Sequence, residues 1–380
     1  LVELLRAEVE IHADAAPLAS QEAIELLPLL TCVEGLLEAH EVPHVKPRLL
    51  TSRAVSAMFD GWIVEQHESF RNLLSRSIAC EAWTPLTEHH RISPSVVDLF
   101  QCFSQTTQFF LSVVQPTAGM HAHLDRLLTE IFNTTLVYVE HIALLGGTAA
   151  DLTRYSFCPP RVKSQFEPLP KATQAKLGGQ NNAALATMLN NTYACGERLQ
   201  ALWEDVDKGW RAAVDAGGMV RASLDKALEK LRSHCDKMVG FLAHRLLFWE
   251  LREEMAVSLY ATSVSSPPQQ MAAIIAPLLS MKQAELVRLI EPEHAPALVL
   301  AVLVASCAAY ERVLLDGGRS FSSAEGELLE EDLETLLEVF LLDLNNWSGV
   351  KLDDATVGTA AGRIRAIVSL FQLSVPDLVR

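Results

Sequence analysis

The 380-residue sequence contains no pair of cysteines two residues apart, almost no strand-like alternation, few aromatic residues and no charged-then-apolar leader segment. Each absence narrows the field. Seven cysteines, Cys32, Cys80, Cys102, Cys158, Cys195, Cys235 and Cys307, are odd in number and widely scattered. That spacing argues against a disulfide framework and fits reduced thiols in a cytosolic protein. With no signal segment and a first residue that is leucine, the chain reads as an excerpt of a longer polypeptide. Basic residues are scarce: 31 Lys and Arg face 47 Asp and Glu, a formal charge of -16, so a nucleic-acid backbone is a poor partner for the chain as a whole. Long apolar runs are also missing. The most apolar window, "PALVLAVLVASCAAY" from Pro296 to Tyr310, is shorter than the ~20 residues a bilayer-crossing helix needs, so it is expected to be a helix buried on all sides.

What remains is helical periodicity. Apolar residues make up 49% of the chain, enough for one or more large cores, and they recur at three- and four-residue steps. Between Ser52 and Ile78 the stripe is Val55, Met58, Phe59, Trp62, Ile63, Phe70, Leu73 and Leu74. A second helix is predicted from Pro94, whose missing N–H costs nothing at a first helical position, with Ser93 as its N-cap. A third runs from about His121 to Leu145 and stops at Gly146-Gly147. Residues 146–182 lose the pattern and hold prolines, glycines and the bases Arg154, Arg161, Lys163, Lys171 and Lys176, the composition of a flexible basic linker. Helices resume over 183–214, and a single long one is predicted from Met219 to Ala261. About 40 residues at 1.5 Å each would reach ~60 Å, so the expected molecule is elongated. No repeat of fixed period is visible.

Four places could be promoted to chemistry. "HAHLD" offers His121, His123 and Asp125 to a metal, with Glu140 and His141 one helix later. Side chains two apart on a helix point about 200° from each other, so His121 and His123 cannot share an ion without a break, and both are expected to face solvent. "TEHHR" pairs His89 with His90 in a turn without a partner at ligand spacing. Glu65, Glu68 and Glu81, near Trp62 and Trp83, lack an accompanying nucleophile or oxyanion donor. The fourth place, "LLDGGRSFSSAEGELLEEDLETLLEVF" from Leu314 to Phe340, has neither the lysine of a phosphate loop nor the alternating acids of a calcium loop. Its letters suit a corner between helices: Gly317 and Gly318 turn the chain, Ser322 and Glu325 match a capping box, and Leu328, Leu329, Leu333, Leu336, Leu337, Phe340 and Leu341 form a stripe opposite Glu327, Glu330, Glu331, Glu334 and Glu338. No ion is expected at Asp316 to Ser320. The residues alone thus indicate an all-α stack of bundles with no catalytic, metal or cofactor site.

That corner, followed by "GRIRAIVSLFQLSVPDLV", resembles the second Munc-homology region of the MUN-domain family, the vesicle-priming and exocytosis proteins related to Munc-thirteen, in its plant and algal branch. "EAWTPL" leading to "SPSVVDLF" is similar to the first Munc-homology region, and "LNNTYACGERLQALWEDV" to the asparagine-bearing helix after the family's variable linker. The residues that carry the likeness are Trp83, Pro85, Val96, Val97, Asp98, Phe100, Asn190, Asn191, Asp316, Gly317, Gly318, Glu331, Asp332 and Leu333.

The resemblance implies an elongated rod of helical bundles like vesicle-tethering subunits. N-terminal helices would fill 1–50, the first Munc-homology region 51–145, the linker 146–182, a continuation with the long helix 183–261, and the second region 262–380. It further implies a non-enzymatic trafficking factor that binds SNARE proteins of the syntaxin type and meets membrane peripherally. It would work in the cytoplasm at the plasma membrane, endosomes or vesicles, without cofactor, nucleic acid or small-molecule substrate. A multisubunit-tether component and a lipid-binding scaffold using the five linker bases are the alternatives.

Overall fold

The computed structural model describes residues 53–87, 89–113, 120–146, 181–214, 218–260, 271–316, 321–341 and 350–373. Among them the fold is all-α, with no strand. The α-helices are α1 (Arg53–Cys80), α2 (Pro94–Val113), α3 (His121–Gly146), α4 (Asn182–Val214), α5 (Gly218–Arg245), α6 (Ala276–Val287), α7 (Ala295–Asp316), α8 (Ser323–Leu341) and α9 (Asp354–Gln372). The basic linker, including Arg154, Arg161, Lys163, Lys171 and Lys176, lies outside the described residues, as do Gly317 and Gly318. The described cysteines, Cys80, Cys102, Cys195, Cys235 and Cys307, are free thiols, and burial pushes the Cys307 thiol up to about 11.

The helices fall into two compact units that alternate along the chain. Of the described residues, those up to Ala82 and within Ser93–His141 and Asn191–Arg232 form one unit; those within Trp83–Ile92, Ile142–Asn190 and Ser233–Arg380 form the other. In the first unit α1 and α2 join through rings: Phe70 meets Phe103 edge-on at 4.9 Å, Phe59 meets Phe110 at 5.5 Å, and Trp62 stacks on Phe110. Phe59, Phe70, Phe103 and Phe110 are fully buried, each contributing roughly 1.5–3 kcal/mol of hydrophobic stabilisation. Helix α3 is held to α1 by Arg126 on Asp60 at 2.9 Å and by His67 beside Glu130 at 2.7 Å.

The second unit is built around α7, against which α6, α8, α9 and several π-helical turns pack. With its leading turn, α7 has the length and composition of a membrane-crossing helix, longer than the apolar window read from the sequence. Most of it is buried in protein, Leu298, Val299, Val302, Leu303, Ala305 and Ser306 among the inner residues, so it packs as a core helix. The expectation of burial on all sides is corrected: Leu300 and Val304, one turn apart, are 37% and 49% exposed. Helix α8 follows its predicted stripe, with Leu329, Leu333, Leu336, Leu337 and Phe340 buried and Glu327, Glu330, Glu331, Glu334 and Glu338 exposed.

The long helix predicted from Met219 to Ala261 is not continuous. Helix α5 ends at Arg245 and gives way to π-helical turns at Leu246–Glu250 and Glu253–Ser258. The Leu251 and Leu259 N–H groups reach back five residues, to the carbonyls of Leu246 at 2.9 Å and Glu254 at 3.1 Å. Widening the turn by one residue turns Leu246, Leu247, Phe248, Leu251, Met255 and Leu259 all inward, which a 3.6-residue period would not do for so dense an apolar run. The segment ends at Tyr260 with φ 60, a left-handed backbone that non-glycine residues adopt when their surroundings enforce it.

Candidate functional site

Two of the residues that carried the family likeness, Asn190 and Asn191, form polar pins. In the first unit the Ser93 N–H donates to Asn191 Oδ1 at 2.9 Å, while Asn191 Nδ2 donates to Ser93 Oγ at 2.8 Å and to Tyr138 Oη at 2.8 Å. Ser95 Oγ lies 2.7 Å from Tyr138 Oη and 3.0 Å from Ser93 Oγ, and Ser93 Oγ donates to Glu81 Oε2 at 2.6 Å. One assignment of hydrogens satisfies every contact: Asn191 to Tyr138, Tyr138 to Ser95, Ser95 to Ser93, Ser93 to the Glu81 carboxylate. Burial keeps the Tyr138 hydroxyl far above its ordinary titration range, so it retains the hydrogen that this chain needs. A primary amide suits position 191 because it supplies two donors and an acceptor from one planar group. Ser93 is thus buried within this network; its hydroxyl makes these contacts in place of the expected helix cap.

The neighbouring asparagine does the same work in the second unit. Asn190 Nδ2 donates to the carbonyls of Arg91 at 3.1 Å and Leu289 at 2.9 Å, and its Oδ1 accepts from the Glu291 N–H at 3.1 Å. Arg91 closes the arrangement, its N–H donating to Glu291 Oε1 at 3.1 Å and its guanidinium to the Ile290 carbonyl. The irregular segments 89–92 and 288–291 are thereby fixed without regular secondary structure of their own. Trp83 adopts a left-handed φ of 53 and is half-buried; Pro85 and Leu86 are exposed. His89 and His90 are exposed on a turn whose Thr87 Oγ1 accepts both their N–H groups, at 3.3 and 3.0 Å.

The remaining motif residues divide by face. Val96, Phe100 and Leu333 are buried, Val97 and Asp332 are half-buried, and Asp98 and Glu331 are exposed. Asp316 closes α7. Glu65 and Glu68 lie on the wet face of α1, while Glu81 ends the hydroxyl chain.

His123 departs from expectation: it is buried rather than solvent-facing. Its Nε2 is 3.1 Å from Ser56 Oγ and its Nδ1 is 3.4 Å from Asp60 Oδ1, which Arg126 also holds. Burial lowers its pKa, with Asp60 opposing the shift, so the ring is neutral, donates from Nδ1 to the carboxylate and accepts from Ser56. The order serine, histidine, aspartate is that of an activated nucleophile. Here Asp60 is half-exposed and shared with Arg126, and the contacts satisfy a buried imidazole. His121 is half-buried, and the Asp125 carboxyl is raised by burial and lowered by His121.

Two polar clusters of the second unit were not foreseen as clusters, although Asp332 was among the residues that carried the family likeness. Asn182 Nδ2 donates to Glu250 Oε1 at 2.6 Å and its Oδ1 accepts from Arg245 Nε at 3.1 Å, which pins the start of α4 to the end of α5. Tyr260 Oη lies 2.6 Å from Asp332 Oδ2 and 2.8 Å from Tyr310 Oη. Tyrosines and an aspartate at inward positions of otherwise apolar stripes are the signal that a search for buried polar groups would have used.

The family model described as PATROL1-like, TPR repeats, matches residues 55–159 and 182–380. The chain belongs to that family. A curated relative, "Protein unc-13 homolog" of Arabidopsis thaliana, is 24% identical over 347 residues, covering 84% of this chain and 31% of the relative. The chain therefore spans about a third of the length of the relative it matches. At this level the expected kinship with plant unc-thirteen-type proteins holds. The family description names TPR repeats, whereas the sequence shows no fixed period. Helix α4 accounts for part of this: its 33 residues fill the length of a whole helix–turn–helix repeat of about 34.

Proposed function

We propose that this chain is a binding module of vesicle trafficking, acting on SNARE proteins of the syntaxin type in the cytoplasm at the plasma membrane, endosomes or vesicles, without covalent catalysis. The observation that carries the reading is the kinship with the unc-13 homolog across most of the chain. The pins at Asn190 and Asn191 support it, because their polar groups are spent internally on fixing loops and helices. A rigid helical unit contributes to assembly by holding partners together, which raises their effective concentration and favours their open states.

The test is SNARE assembly followed by fluorescence transfer with recombinant chain added. Faster assembly together with direct syntaxin binding is the expected result. A chain that neither binds nor accelerates, and instead co-purifies with several helical partners, would establish the alternative of a tethering-complex subunit.

A further inference from the structure

The Asp332 cluster does not balance as the Asn191 network does. Three oxygen–oxygen contacts run in series: Asp332 Oδ2 to Tyr260 Oη at 2.6 Å, Tyr260 Oη to Tyr310 Oη at 2.8 Å, and Tyr310 Oη to the Leu329 carbonyl at 3.0 Å. Each needs its own hydrogen. The tyrosines supply two and the carbonyl none, so an ionised Asp332 leaves the series one hydrogen short. A protonated Asp332 completes it, donating to Tyr260, which donates to Tyr310, which donates to Leu329. We propose that Asp332 is a proton-holding latch that ties the left-handed end of the π-helical segment, at Tyr260, to α7 and α8, and that loss of its proton opens the latch.

The surroundings favour this state. Burial raises the Asp332 carboxyl above the ordinary carboxylate range; the contact with Tyr260 works against the shift and Glu331 works with it. Burial also holds the Tyr260 and Tyr310 hydroxyls far above their usual range, so both keep their hydrogens. Three charged pairs on the packed elements are made at other positions: Arg363 with Glu311, Arg365 with Glu334, and Lys282 with Glu285. The π-helical turn at Met271–Ile275 carries no titratable side chain. Tyr260 itself has a left-handed φ of 60, so an unlatched tyrosine has a lower-energy backbone to relax toward.

The sign of the pH effect follows. A carboxyl whose folded pKa lies above its unfolded value of about 4 contributes stability that is complete below that value and is lost as pH rises through the folded pKa. Between the two values the folded-to-unfolded ratio of wild type, taken relative to Asp332→Asn, falls about tenfold per pH unit. The variant holds the same bonds with an amide donor and has no proton to lose. Urea titrations of both proteins from about pH 4 to about pH 8 read this ratio, and a difference that stays constant over that range overturns the latch. Carbon NMR of the aspartate carboxyls in the wild-type protein keeps the test open if the variant does not fold. The Asp332 resonance, assigned by through-bond triple-resonance experiments on the wild-type protein, is expected to titrate above the ordinary aspartate range; titration within that range overturns the proposal.

Discussion

At the scale of the residue, Asn191 and Tyr138 separate two costs that a list of contacts would merge. Asn191 sits fully buried with all three polar functions engaged, so truncation to alanine strands the Ser93 N–H in a dry interior and takes one donor from each of the Ser93 and Tyr138 hydroxyls. Leaving buried polar groups unmatched costs ~1–3 kcal/mol each, and the Asn191→Ala variant is expected to lose about 3 kcal/mol or more. Tyr138→Phe removes one hydroxyl while keeping the ring, and Asn191 can turn its freed donor toward the freed acceptor of Ser95, so about 1 kcal/mol is expected. Urea midpoints at unchanged slope measure both. Equal losses would mean that the Tyr138 hydroxyl matters as much to this corner as the whole Asn191 amide.

At the scale of the element, the first turns of α8 pass close to the end of α9 at Gly326. A Cβ at Gly326 would meet Gln372 Cγ at 2.9 Å and the Phe371 carbonyl oxygen at 3.1 Å. The side chain can swing aside but the backbone oxygen cannot, so Gly326→Ala is expected to cost about 1–3 kcal/mol despite alanine's better helix propensity. Thermal unfolding with Gly362→Ala as control checks it, since nothing lies within 4 Å of a Cβ at Gly362. The pair also marks what the sequence could disclose. The start of α8 was legible because it is local: the Ser322 N–H donates to Glu325 Oε2 at 2.6 Å, as the capping-box spacing implied. The wet and buried faces of α8 were legible for the same reason. Gly326 was not, because its constraint comes from a helix about 45 residues on, and neither was the break after Arg245, where a one-residue change of turn leaves the apolar pattern looking helical. Asn190 and Asn191 were legible as marked residues but not as pins, since their partners at Arg91, Ser93 and Leu289 lie about 100 residues away.

At the scale of the whole molecule, charge decides how a membrane would be met. A chain with a formal charge of -16 is repelled by an anionic bilayer, unless a local patch of opposite sign overrides the average. Residues 146–182 carry Arg154, Arg161, Lys163, Lys171 and Lys176 against Asp151 and Glu167, a local excess of base within an acidic chain. Near an anionic surface each base contributes ~1 kcal/mol, enough together for reversible attachment and too little for irreversible anchoring. The chain is therefore expected to float with phosphatidylserine-containing vesicles at low salt, to be released at about 0.5 M salt as the Debye length shrinks, and to ignore neutral vesicles. Changing the five bases to glutamine should abolish flotation while leaving the helical circular dichroism intact. If that variant floats as well as the original, the attachment comes from elsewhere, and the exposed apolar turn at Leu300 and Val304 becomes the next surface to test.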